Sequence, residues 1–523
     1  MQRNVTGKQI AALLAVVSGL AVSATVLLNA QSARSSTAWF GVAPPAGAGD
    51  PHQPVVDVTK ASTTPLQLPA DERQQPEFAG ARIRSDVAAI IAFAKQSRAA
   101  GDKVWGRVTG FPAAAQTVQW TAEQFRNAGL MDVAVQKYEA SAPMWWSRSW
   151  EARLVGNVRF GAGTVDMVLS SAIPTSGSHI DGGILTAPLI HIGSVTTALP
   201  NVDVTGKIAV QHLKPAGGAY SERGRVTERA RELQKRGAVA VLNVVEQTGN
   251  MHVRDFGNCG VPCFNLGTAD GAFVEAVLQR ATAAGASGEL RLQLRLQDEM
   301  LTGLGGQNAM GIVPARNATG ASAADNIVVN AHADGWFDAA GDNADGLAVL
   351  VALARHFGKP ENRLDRSLVF VASGGHHSPG LNGPANFVKT NAAIVSKTVL
   401  VLNLEHVAQL LIRSEGWTVE NKEQPMSFGI SNQAPFLVDL GLRAMARYEF
   451  NLNRPFGANV PGDLGGYGPL GIARVQAIHS GPMYHTSGDV LETISAHGLE
   501  RAAHFFAYFI REAAKANRAD INP

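Results

Sequence analysis

From Asn308 onward the chain alternates short apolar strands with helices, and that alternation constrains the fold more than any other feature. Strands are expected at Asn326 to Ala331, Ser367 to Ala372, Thr398 to Leu404 and Arg474 to Ile478, with a helix from Leu347 to Phe357. Near-continuous Val, Ile and Leu within each strand implies burial on both faces, which a mostly parallel sheet with helices on both faces provides. The expected class is therefore α/β. In such sheets ligands bind beyond the carboxyl ends of the strands, so the residues that follow each strand are the ones to inspect.

Those residues are rich in imidazoles and carboxylates. The first strand runs into His332 and Asp334, and Asp342 follows in the run GDNADG before a helix. The second leads into SGGHHSPG with His376 and His377, the third into Glu405 and His406, and the last through HSGPMYHTSGD to His485 and Asp489. Imidazole and carboxylate without thiolate suit zinc, or less well manganese, cobalt or iron. His332 and Asp334 share one side of an extended chain, so Asp334 is placed to orient a metal-bound His332. Asp342, the acid nearest the middle of the set, is the one to bridge two metals, an arrangement that activates water and polarises a carbonyl. Each residue also has a plainer reading: Asp342 as a helix cap, and His376 and His377 as polar loop residues without metal duty.

Composition excludes other classes. Of 523 residues 46% are hydrophobic and 17% charged, below the roughly 25% usual in globular proteins, so the chain is folded rather than disordered. Lys plus Arg total 45 against 43 Asp plus Glu, and a net charge of +2 gives no field to attract nucleic acid. No G-x-S-x-G elbow is present, which argues against a serine hydrolase. Arg3 and Lys8 precede an uncharged apolar run from Ile10 to Leu28, so 1–33 is expected to be a signal peptide or an uncleaved membrane anchor. The chain is thus expected to be exported, whether periplasmic, extracellular or membrane-anchored. Residues 34–77, rich in Pro, Ala, Gly, Thr and Gln, are expected to form a flexible linker without function. Cys259 and Cys263 are either a short disulfide loop, as an oxidising compartment favours, or two buried thiols. Trp145, Trp146 and Trp150 either line a substrate cleft or pack at a domain seam, the latter being the commoner use; Tyr484 is a further candidate for the cleft.

Between about 180 and 295 the texture shifts to short strands and a charged helix from Arg223 to Arg236. The runs VTGKIAVQHL, RGAVAVLNVV and VPCFNLGTADGAFVEAVL resemble the protease-associated domain, a small α/β insert of exported hydrolases. The ordered motifs NIVVNAHADG, GDNADGLAVLVALARHF, RSLVFVASGGHHSPGLNG, VLVLNLEHV and YHTSGD resemble the co-catalytic di-zinc aminopeptidase family, which includes glutamate carboxypeptidase II and the transferrin receptor. That resemblance implies a catalytic domain over 78–180 and 296–520, interrupted by the protease-associated insert at 181–295. It also implies two zinc ions, one held by His332 and the other by His485, with Asp342 bridging and Asp334 orienting.

Two departures from the family pattern, over three positions, stand out. His376 and His377 stand where the family has a Glu-Glu pair, the first Glu its general base and the second a metal ligand. Glu405 replaces an aspartate ligand. His377 and Glu405 retain the capacity to ligate, and His376 is an imidazole able to take a proton near neutral pH. The function implied is a metal-dependent hydrolase of an amide bond in a peptide or small peptide-like substrate. The alternatives are a hydrolase of a non-peptide acyl or amide substrate, or a non-catalytic binding protein on the same fold, as in the transferrin receptor. A membrane is expected as a partner only if the N-terminal segment stays uncleaved.

Overall fold

The computed structural model describes residues 37–45, 63–215, 222–254, 259–317, 324–413, 418–450, 457–458, 460, 462–478 and 481–523. The expected export segment lies outside the described residues. No helix among the described residues is long and apolar enough to cross a membrane.

Helices α1 (Gly80–Ala99) and α2 (Pro112–Asn127) lead into strand β1 (Met131–Glu139). The chain then builds a second unit from β2 (Met144–Val155), β3 (Ile184–Ser194), β4 (Ile208–Leu213), α3 (Arg223–Lys235), β5 (Ala240–Val245), β6 (Cys263–Leu266), α4 (Thr268–Ala283) and β7 (Arg291–Leu301). It returns with β8 (Gly305–Val313), β9 (Asn326–His332), α5 (Asp345–Gly358), β10 (Ser367–Ser373), α6 (Gly383–Thr390) and β11 (Thr398–Leu404). The last elements are β12 (Ser427–Ile430), α7 (Pro435–Tyr448), β13 (Ala473–Ile478) and α8 (Ala496–Lys515).

The first sheet has the order β12-β13-β11-β9-β10-β8-β1. Its four central strands are parallel, β12 on one side and β8 on the other pair antiparallel with them, and β1 at the edge pairs antiparallel with β8. The α/β class stands, with the parallel character confined to the centre. Strand periodicity divides the core between the two faces. Ile327, Val329 and Ala331 of β9 join α1, α2, α5, α7 and α8 in one cluster, whereas Val328 faces the other way with Phe387 of α6. Leu400 and Leu402 against Val401 on β11 repeat the division. With both faces covered, the carboxyl edge of the parallel strands is the place to look for a cluster of ligating side chains.

The second sheet runs β2-β7-β3-β4-β5-β6, with Met167–Val168 beside β2 and Ile173–Pro174 beyond β6. It therefore draws on residues before the 181–295 span expected for the insert. β2 is continuous with this sheet because it pairs along its length with β7, from Met144 opposite Leu301 to Val155 opposite Arg291. Trp146 and Trp150 are buried with Leu292 and Leu294 in that unit's core, and the Trp150 indole donates to the Ala172 carbonyl at 2.6 Å. Both pack in that core, Trp150 also bordering a separate pocket beside Trp105 and His252, and neither borders the cleft that holds His376 and His377. Cys259 and Cys263 are both buried and unbridged, so the disulfide expected from export is not formed.

Part of the expected linker is docked. Trp39 is buried, stacked 5.8 Å from Phe160, and the carboxylates of Glu72 and Glu77 reach His504 at 2.7 Å and His356 at 2.8 Å. Composition concealed this because the anchoring groups are isolated charges and a lone tryptophan in a Pro-rich stretch.

Candidate metal centre

Four strand ends supply the site. His332 closes β9 and is fully buried; Asp334 follows it, also fully buried. The backbone N–H groups of His376 and His377, in the loop after β10, donate to the Asp334 carboxylate at 3.2 and 3.0 Å. His332 Nδ1 sits 3.1 Å from the Asp334 carbonyl and 3.5 Å from its carboxylate. Asp334 thus positions three imidazoles, two of them through their backbone. The loop before α5 is fixed from the far end of the chain, because Gly341 N and Asp342 N donate to the Asp489 carboxylate at 2.8 and 3.0 Å. Beyond β11, Glu405 is held through Oε2 by Asn403 at 2.8 Å and Gln476 at 2.7 Å. That leaves Oε1 directed at the centre.

Neighbouring residues of an extended chain point to opposite sides. His406 follows Glu405 yet joins the same site, because its backbone turns into the left-handed region at φ 53°, held there by a hydrogen bond from His406 N to Asn343 Oδ1. His485 is turned likewise, at φ 58°.

Asp342 is the hub, and its two oxygens face different donors. Oδ1 lies 3.2 Å from His332 Nε2 and 3.0 Å from His406 Nε2, with Glu405 Oε1 a further 3.7 Å from His332 Nε2. Oδ2 lies 3.1 Å from His377 Nε2 and 3.2 Å from His485 Nε2. Two donor sets result: His332, Asp342, Glu405 and His406 on one side; Asp342, His377 and His485 on the other. His332 Nε2, His377 Nε2 and Glu405 Oε1 are buried and make no hydrogen bond among the described residues. Buried polar atoms left this way are costly unless a further group satisfies them, and three of them converging within one cluster fit a cation.

The electrostatics follow from that crowding. Burial opposes the charge on His332, but Asp334, Asp342 and Glu405 hold its pKa well above the ordinary value. Burial likewise raises Asp342 and Glu405, yet the surrounding imidazoles win, leaving Asp342 well below its usual range and Glu405 at about 2. His377 is pulled down to about 4, first by burial and then by neighbouring His376 and His485, against the pull of Asp342. A neutral imidazole and ionised carboxylates are the forms in which these groups ligate.

His376 differs from its neighbour. Its Nδ1 lies 2.7 Å from Asp463 Oδ1, its ring stacks on His332 at 4.3 Å, and its Nε2 faces Glu405 Oε1 at 3.7 Å. A cleft of about 430 Å³ opens onto these groups, bordered by Trp336, Tyr484, Arg223 and Arg254. Tyr484 stacks on His485 at 3.6 Å, and Trp336 lies 4.8 Å from His377. Trp145 donates to the Ser178 carbonyl and is not among the cleft's lining residues.

The seven residues singled out in the sequence, His332, Asp334, Asp342, His376, His377, Glu405 and His485, all come together. Tyr484 reaches the cleft as expected. Sequence reasoning missed His406 and Asp463 as members of the site and Trp336 as a lining residue.

A mixed sheet covered by helices on both faces, with imidazoles and carboxylates gathered beyond its parallel carboxyl edge, makes this an α/β fold with a candidate metal centre at its strand ends. Residues 313–510 match the model of peptidase family M28. No curated protein matches the chain. Among solved structures, a zinc aminopeptidase from Bacillus subtilis is similar at 22% identity with a TM-score of 0.57, over 86% of this chain and 98% of that one. A peptidase M28 precursor from Shewanella amazonensis is similar at 16% identity with a TM-score of 0.60, over 84% and 97%. An aminopeptidase from Aneurinibacillus gives 21% identity and a TM-score of 0.52, over 84% and 95%. At these identities the likeness establishes the fold.

Proposed function

We propose that the chain is an exported metallo-hydrolase of the aminopeptidase type, cleaving an amide bond in a peptide or peptide-like substrate with two zinc ions per chain. The observation that carries this reading is the division of donors across the two oxygens of Asp342, with His332 Nε2 and Glu405 Oε1 on one side and His377 Nε2 on the other making no hydrogen bond among the described residues. His332, His406 and Glu405 would hold one zinc, His377 and His485 the other, and Asp342 both. Zinc supplies Lewis-acid polarisation of the scissile carbonyl and of water.

The chain's own residues account for the proton. Asp463 occupies His376 Nδ1 and leaves Nε2 turned toward the centre. His376 Nε2 takes a proton from the attacking water as its oxygen bonds to the carbonyl carbon, and delivers it to the amine nitrogen as the C–N bond breaks. Asp463 holds the ring in the required orientation, the part a carboxylate plays behind a catalytic imidazole elsewhere. Trp336 and Tyr484 offer apolar surface to a substrate side chain. The unit built on β2 to β7 corresponds in this reading to the protease-associated insert, and export rests on the apolar run from Ile10 to Leu28.

Elemental analysis of protein loaded with zinc and freed of excess, together with hydrolysis of aminoacyl anilides, tests the reading. About two zinc ions per chain and hydrolysis abolished by chelation are expected; protein that holds no metal after loading would overturn it.

A further inference from the structure

A second convergence of metal-binding side chains lies away from the catalytic centre, on the sheet of the second unit. His191 stands on β3, His212 on the neighbouring parallel strand β4, and Glu275 on α4. His191 is registered opposite Val210, so His212, two residues further on, emerges on the same face. Both imidazoles reach one oxygen of Glu275: Oε1 lies 3.0 Å from His212 Nδ1 and 3.4 Å from His191 Nε2. One ligand atom from each of the three lies within 4.8 Å of the others. The opposite nitrogen of His212, Nε2, is 2.8 Å from Glu246 Oε1, just past the end of β5.

Surface ion pairs are the ordinary use of such groups and contribute little to stability. Two features point past that use. An ion pair gives each imidazole its own acid, whereas here two imidazoles from separate strands aim at a single carboxylate oxygen, as the arms of a chelate do. In addition, His212 has a carboxylate on each nitrogen, and a metal-bound imidazole characteristically passes its second N–H to a carboxylate that fixes the ring.

We propose that His191, His212 and Glu275 bind one divalent transition-metal ion of the zinc type, with Glu246 orienting His212. Two imidazoles and one carboxylate are a donor set suited to zinc, with a fourth position open to solvent on the exposed side. The ion ties two strands and a helix of the second unit together, and its site shares no residue with the centre around Asp342.

Full-length protein is stripped with chelator, reloaded with zinc and freed of excess by gel filtration, and metal per chain is measured for the wild type, for His191→Ala/His212→Ala and for Glu275→Gln. The double variant is expected to hold one ion fewer, and zinc is expected to raise the thermal midpoint of the wild type more than that of the variant. Equal metal content in wild type and double variant would overturn the site. Should the double variant fail to fold, His191→Ala serves alone: its side chain is 42% exposed, and competition with a zinc-sensitive dye should show one class of site weakened at least about tenfold. Unchanged affinity in that variant would also overturn it. The readout is a difference of one ion, so failure of the catalytic reading leaves this result intact, and the reverse holds too.

Discussion

Asp463 determines what His376 is able to do. Its carboxylate is the only group bound to His376 Nδ1 among the described residues, so Asp463→Asn keeps the size of the side chain but removes the charge that fixes the ring. The expected outcome is a fall in kcat of about 10²-fold with a much smaller change in KM, and recovery in Asp463→Glu; steady-state kinetics on an aminoacyl anilide checks both. A purely structural role would instead lower stability and leave the kcat to KM balance unaltered. His406 stands in the proposed donor set of the first zinc. His406→Ala should weaken zinc binding by at least the roughly 10–100-fold that loss of an outer partner causes, measured by competition with a chelator, and unchanged affinity would remove it from the donor set. The sequence shows His406 at a strand end but gives it no role, and it does not single out Asp463 at all, for different reasons. His406 adjoins Glu405, and an extended chain turns neighbours to opposite sides; only the left-handed φ of 53° brings both inward. Asp463 lies in the run GDLGG, where nothing in the local pattern relates it to a loop 87 residues earlier.

The loop from Ala333 to Ala344 carries the two carboxylates Asp334 and Asp342, and its main support is one buried guanidinium. Arg107 is fully buried and donates to the carbonyls of Ala333, Asp338 and Ala339 at 3.1, 2.8 and 3.1 Å, clasping both ends of the turn between Asp334 and Asp342. Burial pulls its pKa down to about 10, against the field of Asp342, Asp334 and Asp489 that favours its charge. Lysine keeps the charge but cannot serve three carbonyls in one planar fork. Arg107→Lys should therefore lower unfolding stability by about 2–3 kcal/mol and reduce zinc retention, read by denaturant unfolding and elemental analysis of the same sample. A variant that kept both would show that the loop holds its shape unaided. At this scale the sequence was informative where burial imposes a pattern: β9, β10, β11 and β13 read as apolar runs, and their carboxyl ends were where the ligating types stood. It was uninformative about β2, which belongs to the second sheet only through its pairing with β7, a contact between segments far apart in the chain that no local period encodes.

Across the whole molecule, segments distant in sequence brace the centre from outside. The stretch 247–254 of the second unit runs along 482–487: Gln247 Nε2 donates to the Pro482 carbonyl, His252 N to Ser487 Oγ, and Arg254 N to the His485 carbonyl at 2.9 Å. The turn that presents His485 is thereby held by the second unit, so the two sheets are mechanically one body at the site. On the opposite side, residues 63–78 bind the helical layer through Glu72, whose carboxylate meets His504, Tyr448 and Arg447. Burial raises the Glu72 pKa, but hydrogen bonds from His504 and Tyr448 and the charges of His504 and Arg511 outweigh it and leave the group at about 2, below its ordinary 4.5. A carboxyl depressed in the folded state contributes its full stabilisation above the ordinary value and loses it as pH falls toward the folded value. Docking of this segment should therefore weaken as pH drops from about 4.5 toward 2. Glu72→Gln should cost about 2 kcal/mol at neutral pH, the usual worth of hydrogen bonds to a charged group. The gap in thermal midpoint between wild type and variant should shrink as the buffer is taken down through that range, because protonation turns the wild-type side chain into a neutral analogue of the variant. A gap that stayed constant with pH would mean that Glu72 holds the segment by shape rather than by charge.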